Sequence, residues 1–151
     1  MIKNIFYFVP ILFLVLFLFN ISYPQDIVDI RYVKMAGQRI KVDLASTPGE
    51  QGQGLSGRAP LKEDEGMLFV FERPGKYSFW MKDMNFAIDI IWIAGEDFRD
   101  LKVVYIKEGA RPESYPEQYV PDEDAKYVLE VVTGFSGKHN LKVGDKVEFV
   151  N

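Results

Sequence analysis

Two aspartates, Asp83 and Asp89, lie in the segment that carries both tryptophans of the chain, residues 78–93. Paired carboxylates at a set separation can act as acid and nucleophile in glycoside hydrolysis. Asp89 lies among apolar residues in Ala87–Ile91, so an inward-facing carboxylate there needs a partner. We expect that partner to be Arg58, whose forked guanidinium matches a carboxylate. The pattern therefore favours either a buried ion pair that specifies the fold, or hydrolase-like chemistry that uses Asp89 or Asp83 with Arg58.

The same segment also predicts a ligand pocket. Aromatic residues make up 15% of the chain, and the aromatic side chains Phe79, Trp80 and Trp92 all belong to this segment. Small-molecule sites are mostly apolar, with a few placed polar groups. The candidate ligand-binding residues are Arg58, Trp80, Met81, Lys82, Asp89 and Trp92. The leading hypothesis is a non-enzymatic module that binds a small ligand or a partner, and the alternative is the hydrolase-like enzyme.

Several other chemistries lack the residues they need. The chain has no Cys and one His, His139, so thiol chemistry is excluded and a Ser-His-Asp triad has no supporting motif. Residues 52–57 match the glycine pattern of dinucleotide sites, but no βαβ unit surrounds them. The soft donors Met67, Met81, Met84 and His139 are too sparse to favour copper. We predict no cofactor and no metal.

Overall charge limits the partners. The formal net charge is −4 and the pI is about 5.1. Binding to nucleic acid relies on clustered Lys and Arg, so we predict no nucleic-acid partner. The expected partner is a small molecule or an envelope protein.

The N-terminus predicts a membrane-directed segment. Lys3 precedes an uncharged run over residues 5–19, which only Pro10 interrupts, and acidic residues follow. The length of this run lies between that of a signal peptide and that of a spanning helix. Residues 1–24 are therefore either a signal peptide or a membrane anchor, and the charge order places the rest outside the cytoplasm. The predicted location is extracytoplasmic, periplasmic or extracellular.

The remaining residues, 25–151, predict one small β domain. A hairpin is expected at residues 32–45, where Ile40, Val42 and Leu44 alternate with polar residues. Thr47 and Pro48 are typical of a helix start. Further strands are expected at residues 66–71, 76–81, 87–93, 101–106, 127–132 and 146–150, with a short helix within 133–140. This spacing predicts a mostly β sandwich or barrel, and we expect a small barrel-like domain with one or two short helices behind the hydrophobic segment.

Several ordered motifs resemble the domain-of-unknown-function family 192. They are Thr47-Pro48, Gly54-Leu55 with Arg58, Leu61, residues 64–71, residues 78–82, Asp89-Ile90, and residues 143–147. The resemblance covers about residues 39–150. It implies a small, mostly β, barrel-like domain, often behind a signal or anchor, and it implies no activity. The four glycines between residues 49 and 57 depart from the family pattern, which is richer there in charged helix formers. Weak helix formers predict a weak helix at this point.

Overall fold

A computed structural model describes residues 30–151. The predicted leader, residues 1–24, lies outside the described residues. The described part holds seven strands, two short helices and one 3-10 turn. Their bounds are β1 Tyr32–Met35, β2 Gln38–Ala45, α1 Pro48–Gln53, β3 Glu65–Gly75, β4 Ile88–Ala94, β5 Lys102–Ala110, the turn Pro112–Ser114, β6 Ala125–Val132, α2 Phe135–Lys138 and β7 Glu148–Val150.

All seven strands belong to one curved sheet, in the order β5-β4-β6-β3-β2-β1-β7. Only β2 and β3 run parallel, because α1 and the following loop carry the chain back across the sheet. Backbone hydrogen bonds join the two ends of the sheet: Val103 N–H donates to Asp145 O at 3.0 Å, and Val147 N–H donates to Leu101 O at 2.9 Å. The predicted fold class, a mostly β, barrel-like domain with short helices, is confirmed as a seven-stranded half-barrel.

Each face of the sheet carries its own apolar cluster. The cluster with residues from both ends of the sheet, including Val33, Val103 and Val147, lies inside the curl. The second cluster, which includes Met67, Ile90 and Trp92, lies on the other face. Helix α1 with the residues around it, and the segment that follows β3, cover this outer face. The inside cluster stabilises the half-barrel, and the outer cluster supports the part of the structure beneath α1.

Local sequence signals match the structure in several elements. The hairpin of β1 and β2 turns at Ala36 and Gly37, which both have positive φ, 46° and 72°, as a two-residue turn of this kind requires.

The strand expected at residues 76–81 does not form, so that prediction is wrong. The β pairing of this segment is one isolated bridge, between Phe79 and Tyr119, and Tyr119 lies in the loop before β6 rather than in the sheet. Within residues 30–151, no helix is long and apolar enough to cross a membrane.

Candidate functional site

A cavity of about 260 Å³ lies on the outer face of the sheet, and we call it the aromatic cleft. Residues 51–56, at the end of α1 and just after it, form one wall. The extended segment Tyr77–Trp80 forms the opposite wall, and side chains of β3 and β6 form the floor. Five of the lining side chains are aromatic: Phe69, Phe71, Tyr77, Phe79 and Trp80.

Helix α1 is held beside the cleft by its cap. The Thr47 hydroxyl accepts the N–H of Glu50, and the Glu50 carboxylate accepts the N–H groups of Thr47 and Ser46, both at 2.9 Å. These hydrogen bonds, the one from the Thr47 backbone first, lower the pKa of Glu50. The Gln51 side chain then donates to Val70 O of β3 at 2.8 Å. The cap thus compensates for the weak helix formers, and the helix predicted at Thr47-Pro48 is confirmed.

The opposite wall is fixed by backbone contacts rather than by strand pairing. Trp92 Nε1 donates to Tyr77 O at 2.9 Å, and Phe79 and Tyr119 exchange two backbone hydrogen bonds of 3.0 and 2.8 Å. The Tyr77 ring stacks on Phe71 with ring centroids 3.5 Å apart. This wall therefore has a defined position although it is not a strand.

Glu130, on β6, is the acidic side chain in the floor of the cleft. Its cross-strand neighbours are Met67 on β3 and Ile90 on β4, so apolar groups flank the carboxyl on both sides. The residue is 5% exposed, and its Oε2 atom has no hydrogen-bond partner. Burial alone raises the pKa of Glu130 to about 8. The carboxyl is therefore mostly protonated at neutral pH, and it can both donate and accept a hydrogen bond.

Two of the six residues predicted from the sequence lie at or beside the cleft. Trp80 lines it and is 47% exposed, with its ring edge-on to Tyr115 at 5.9 Å. Lys82 lines a neighbouring cavity of about 320 Å³, and Trp80 also borders that cavity together with Asp83. Trp80 therefore connects the two spaces.

Met81 and Trp92 are core residues. Met81 is 1% exposed, and Trp92 is completely buried in the outer cluster. The expectation that Trp92 lines an aromatic pocket is therefore wrong, because its ring packs in the core against Phe79 and Tyr105, with ring centroids 5.6 and 5.2 Å away. Its contribution is indirect, since its indole N–H holds Tyr77 in the wall of the cleft.

The expected pair of Arg58 with Asp89 does not form. Arg58 Nη1 lies 2.7 Å from Oδ2 of Asp43 on the protein surface. Asp89 is completely buried on β4 and faces the inside of the curl, because it is paired with Val131 of the inside cluster. A bulge in β5 and the start of α2 satisfy its carboxylate instead. The donors are the backbone N–H groups of Gly109, Gly134 and Ser136, at 2.9, 3.1 and 2.9 Å.

This arrangement leaves the hydrolase-like alternative without its residues in one place. Arg58 is paired on the surface, Asp89 lies on the opposite face from the cleft, and Glu130 is the one acidic residue among those that line it. A two-carboxylate mechanism needs both acids around one reacting bond. What the cleft can do chemically is bind: it offers apolar ring surface and one carboxyl that has an unused oxygen.

The soft donors do not converge either. Met67, Met81 and Met84 are all buried in the outer cluster, whereas His139 packs against Phe135 of the inside cluster, with ring centroids 4.7 Å apart. Within residues 30–151, no group of three or more His, Cys, Asp or Glu side chains is placed to hold a metal ion.

Glu130 is the site residue that sequence analysis missed. A signal was present, because it is the only charged residue in the apolar run Tyr127–Val132, as Asp89 is in its own run. An acidic residue in the middle of a buried strand needs an explanation. The run itself gives no indication that one such acid meets three donors and the other meets none.

The fold and the site together define a class: a small β half-barrel with an aromatic cleft over a buried carboxyl. A family model described as "Uncharacterized ACR", the domain of unknown function 192, matches residues 31–149. The chain belongs to this family. The resemblance drawn from its motifs is thereby confirmed.

Two solved structures are similar to this one. A protein of unknown function from Novosphingobium aromaticivorans DSM 12444 is 31% identical, with a TM-score of 0.72, covering 83% of this chain and 89% of the other. A protein from Sinorhizobium meliloti 1021, described provisionally as a transcription regulator, is 30% identical, with a TM-score of 0.70, covering 78% of this chain and 90% of the other. No curated protein matches the chain.

Proposed function

We propose that this protein is a binding module that takes one small ligand into the aromatic cleft. The observation that carries the proposal is Glu130: a buried carboxyl oxygen without a partner, in the floor of an aromatic cavity. A buried polar atom without a hydrogen bond costs free energy, and a donor on a ligand would recover it. Five aromatic side chains line the cavity beside its polar groups, and ligand sites commonly combine apolar surface with a few placed polar groups.

The candidate residues then have different roles. Trp80 contacts the ligand at the rim, and Lys82 lies where a longer ligand would extend into the neighbouring cavity. Met81, Asp89 and Trp92 hold the surrounding structure in place. Arg58 remains outside the cleft with Asp43. Glu130 joins the set as the polar anchor.

We also propose that the module works outside the cytoplasm, exported or anchored by residues 1–24. The support is the sequence: one Lys before a long apolar run, and acids after it. Its ligand is then an extracytoplasmic small molecule, with an envelope protein as the alternative partner. Fractionation with protease digestion of intact cells tests the location, and a full-length protein found only in the cytoplasm contradicts it.

A role in binding nucleic acid is not proposed. The net charge of −4 disfavours phosphate contacts. We therefore do not extend the provisional description of the Sinorhizobium protein to this chain.

Native mass spectrometry of the full chain, purified in mild detergent, tests ligand binding. We expect a small co-purified molecule on the wild type, lost in Trp80→Ala and in Glu130→Gln. Matched control variants are Val143→Ala, an exposed apolar residue that lines none of the described cavities, and Glu72→Gln, an exposed acid on β3. Both controls should keep the molecule. A folded Trp80→Ala protein that retains it would contradict the proposed site.

A further inference from the structure

The described side chains that line the aromatic cleft include an acidic group and no basic one. Among the described residues that form the lining there is one acidic side chain, Glu130, and no Lys, Arg or His. Five of the other thirteen lining residues are aromatic. Aromatic rings attract cations through their quadrupole, and a carboxyl near them adds a counter-charge. An anionic ligand would meet no positive side chain there.

Four of the five other polar side chains that line the cleft make hydrogen bonds within the protein, and the fifth, Ser78, is exposed. Gln51 donates to Val70 O, Gln53 donates to Ser56 O, and the Ser56 hydroxyl donates to Lys82 O, each at 2.8 Å. The Tyr77 hydroxyl donates to Arg73 O at 2.7 Å. Among the buried side chains of the lining, recognition of a polar ligand group therefore falls to Glu130, whose Oε2 atom has no partner.

The titratable groups around Glu130 do not compete for this role. Its neighbours on β3 and β4 are Met67 and Ile90, which do not titrate. On the α1 side, the Glu50 carboxylate turns back to Ser46 and Thr47. In the opposite wall, Tyr77 is the titratable residue. No charged neighbour contributes to the high pKa of Glu130, which has burial as its only cause.

We propose that the ligand of the aromatic cleft is a small organic ammonium ion, which the Glu130 carboxylate and the surrounding aromatic rings hold together. This inference rests on the proposed binding function and names its ligand class. A cavity of about 260 Å³ lies below the range of roughly 300–1,000 Å³ for drug-sized ligands, so it suits a small amine.

Binding of the cation is coupled to loss of a proton. In the empty cleft at neutral pH the Glu130 carboxyl is protonated. An ammonium group within hydrogen-bond reach favours the carboxylate, so the O–H bond of Glu130 breaks and its proton leaves to the solvent. The ammonium N–H then donates to the carboxylate in place of that proton. Each ammonium ion bound at neutral pH releases close to one proton, and fewer as the pH rises above about 8.

Isothermal titration calorimetry of the full chain tests this exchange. The probes are benzylammonium, neutral benzyl alcohol and benzoate, which share a ring and differ in charge. Each titration at pH 7 is run in phosphate and in Tris, whose different ionisation enthalpies give the number of protons released. We expect benzylammonium to bind at least tenfold tighter than the other two, with release of close to one proton. At pH 9 Glu130 should release only a small fraction of a proton, and because part of the benzylamine is then the free amine, the net release should vanish or turn into uptake.

Variants separate the site from other acids. Glu130→Gln should weaken benzylammonium binding at least tenfold and remove the proton release, whereas Glu72→Gln should change neither. The proton count of the wild type stands as evidence if Glu130→Gln does not fold. Tighter binding of benzyl alcohol or benzoate, or ammonium binding without proton release, overturns the ammonium inference and leaves the binding function in place. If none of the probes binds, the inference is overturned, and the co-purification experiment decides the binding function separately.

Discussion

Two buried carboxyls on neighbouring strands of this protein have opposite surroundings. Asp89 of β4 accepts three backbone hydrogen bonds, and Glu130 of β6 has an oxygen with none. The donors of Asp89 come from a bulge in β5 and from the start of α2. The neighbours of Glu130 are apolar side chains. The Asp89 carboxylate therefore holds distant backbone segments together, whereas the Oε2 atom of Glu130 holds none.

Glu130 should make the stability of the protein depend on pH. Its pKa is about 8 in the folded protein and near its ordinary value of 4.5 when unfolded. Between these values the folded state keeps a proton that the unfolded state has lost, so the unfolding free energy falls as the pH rises. The slope is about 1 kcal/mol per pH unit, and it ends above pH 8.

Urea unfolding between pH 5 and pH 9 measures this slope. Glu130→Gln should remove it, because an amide does not titrate in this range. Glu72→Gln, which makes the same chemical change at an exposed position, should keep it. An unchanged slope in Glu130→Gln would mean that another group is responsible.

Replacing Asp89 should destabilise the protein strongly. Asp89→Ala leaves three backbone N–H groups without their acceptor, and each such loss costs about 1–3 kcal/mol. We expect a loss of about 3 kcal/mol or more in urea unfolding. Asp43→Ala breaks only the exposed pair with Arg58 and should cost less than about 1 kcal/mol. Equal effects of the two variants would contradict the structural role of Asp89.

At the level of elements, α1 forms one wall of the cleft although two of its six residues are glycine. Its cap and the hydrogen bond from Gln51 hold it against the sheet, as described above. The helix ends at Gly54, whose φ of 48° and ψ of −133° place it in a conformation that favours glycine. A methyl group at this position would lie 3.2 Å from Cζ of Phe69.

Alanine should therefore have opposite effects at two glycines of this region. Gly49→Ala should stabilise the protein by about 0.5–1 kcal/mol, because the position is helical and nothing lies within 4 Å of the added carbon. Gly54→Ala should cost about 1–3 kcal/mol through its backbone conformation and should displace Phe69 in the cleft. Thermal unfolding compares the two variants. Stabilisation by Gly54→Ala would show that the helix end is not constrained as described.

At the level of the whole molecule, the contact between residues 101–103 and 144–147 converts an open sheet into a half-barrel. Across this contact Gly144 N–H donates to Val103 O, Val103 N–H donates to Asp145 O, and Val147 N–H donates to Leu101 O. Val103 and Val147 are completely buried, so the apolar cluster inside the curl continues across the junction. The hydrogen bonds of this junction should therefore break only when the apolar cluster inside the curl also unfolds.

Amide hydrogen exchange measures this directly. The N–H groups of Val103 and Val147 should exchange as slowly as those of the central strands β4 and β6, because both require loss of the shared core. Exchange at the rate of exposed loop amides would show that the sheet ends separate independently. The fold would then be an open sheet with loosely attached edges.

The elements were largely predictable from the sequence because their signals are local. Alternating apolar residues and a positive-φ turn define the β1–β2 hairpin, and Thr47 with Pro48 starts α1, all within a few neighbouring residues. The need of Asp89 for a partner was equally clear, since burial in its apolar run follows from the run itself. The strand expected at residues 76–81 failed because its apolar residues pack against other rings instead of pairing with a neighbouring strand.

The sequence alone therefore determined a β domain of this family, its hairpin, its helix start and the presence of a buried acid that required explanation. Only the tertiary structure decided that Asp89 meets donors 20, 45 and 47 positions away, that Trp92 is enclosed while Trp80 is exposed, and that Glu130 faces a cavity. Local propensity acts over one turn or one strand. The partners of a buried carboxyl depend on which distant segments the curved sheet brings beside it.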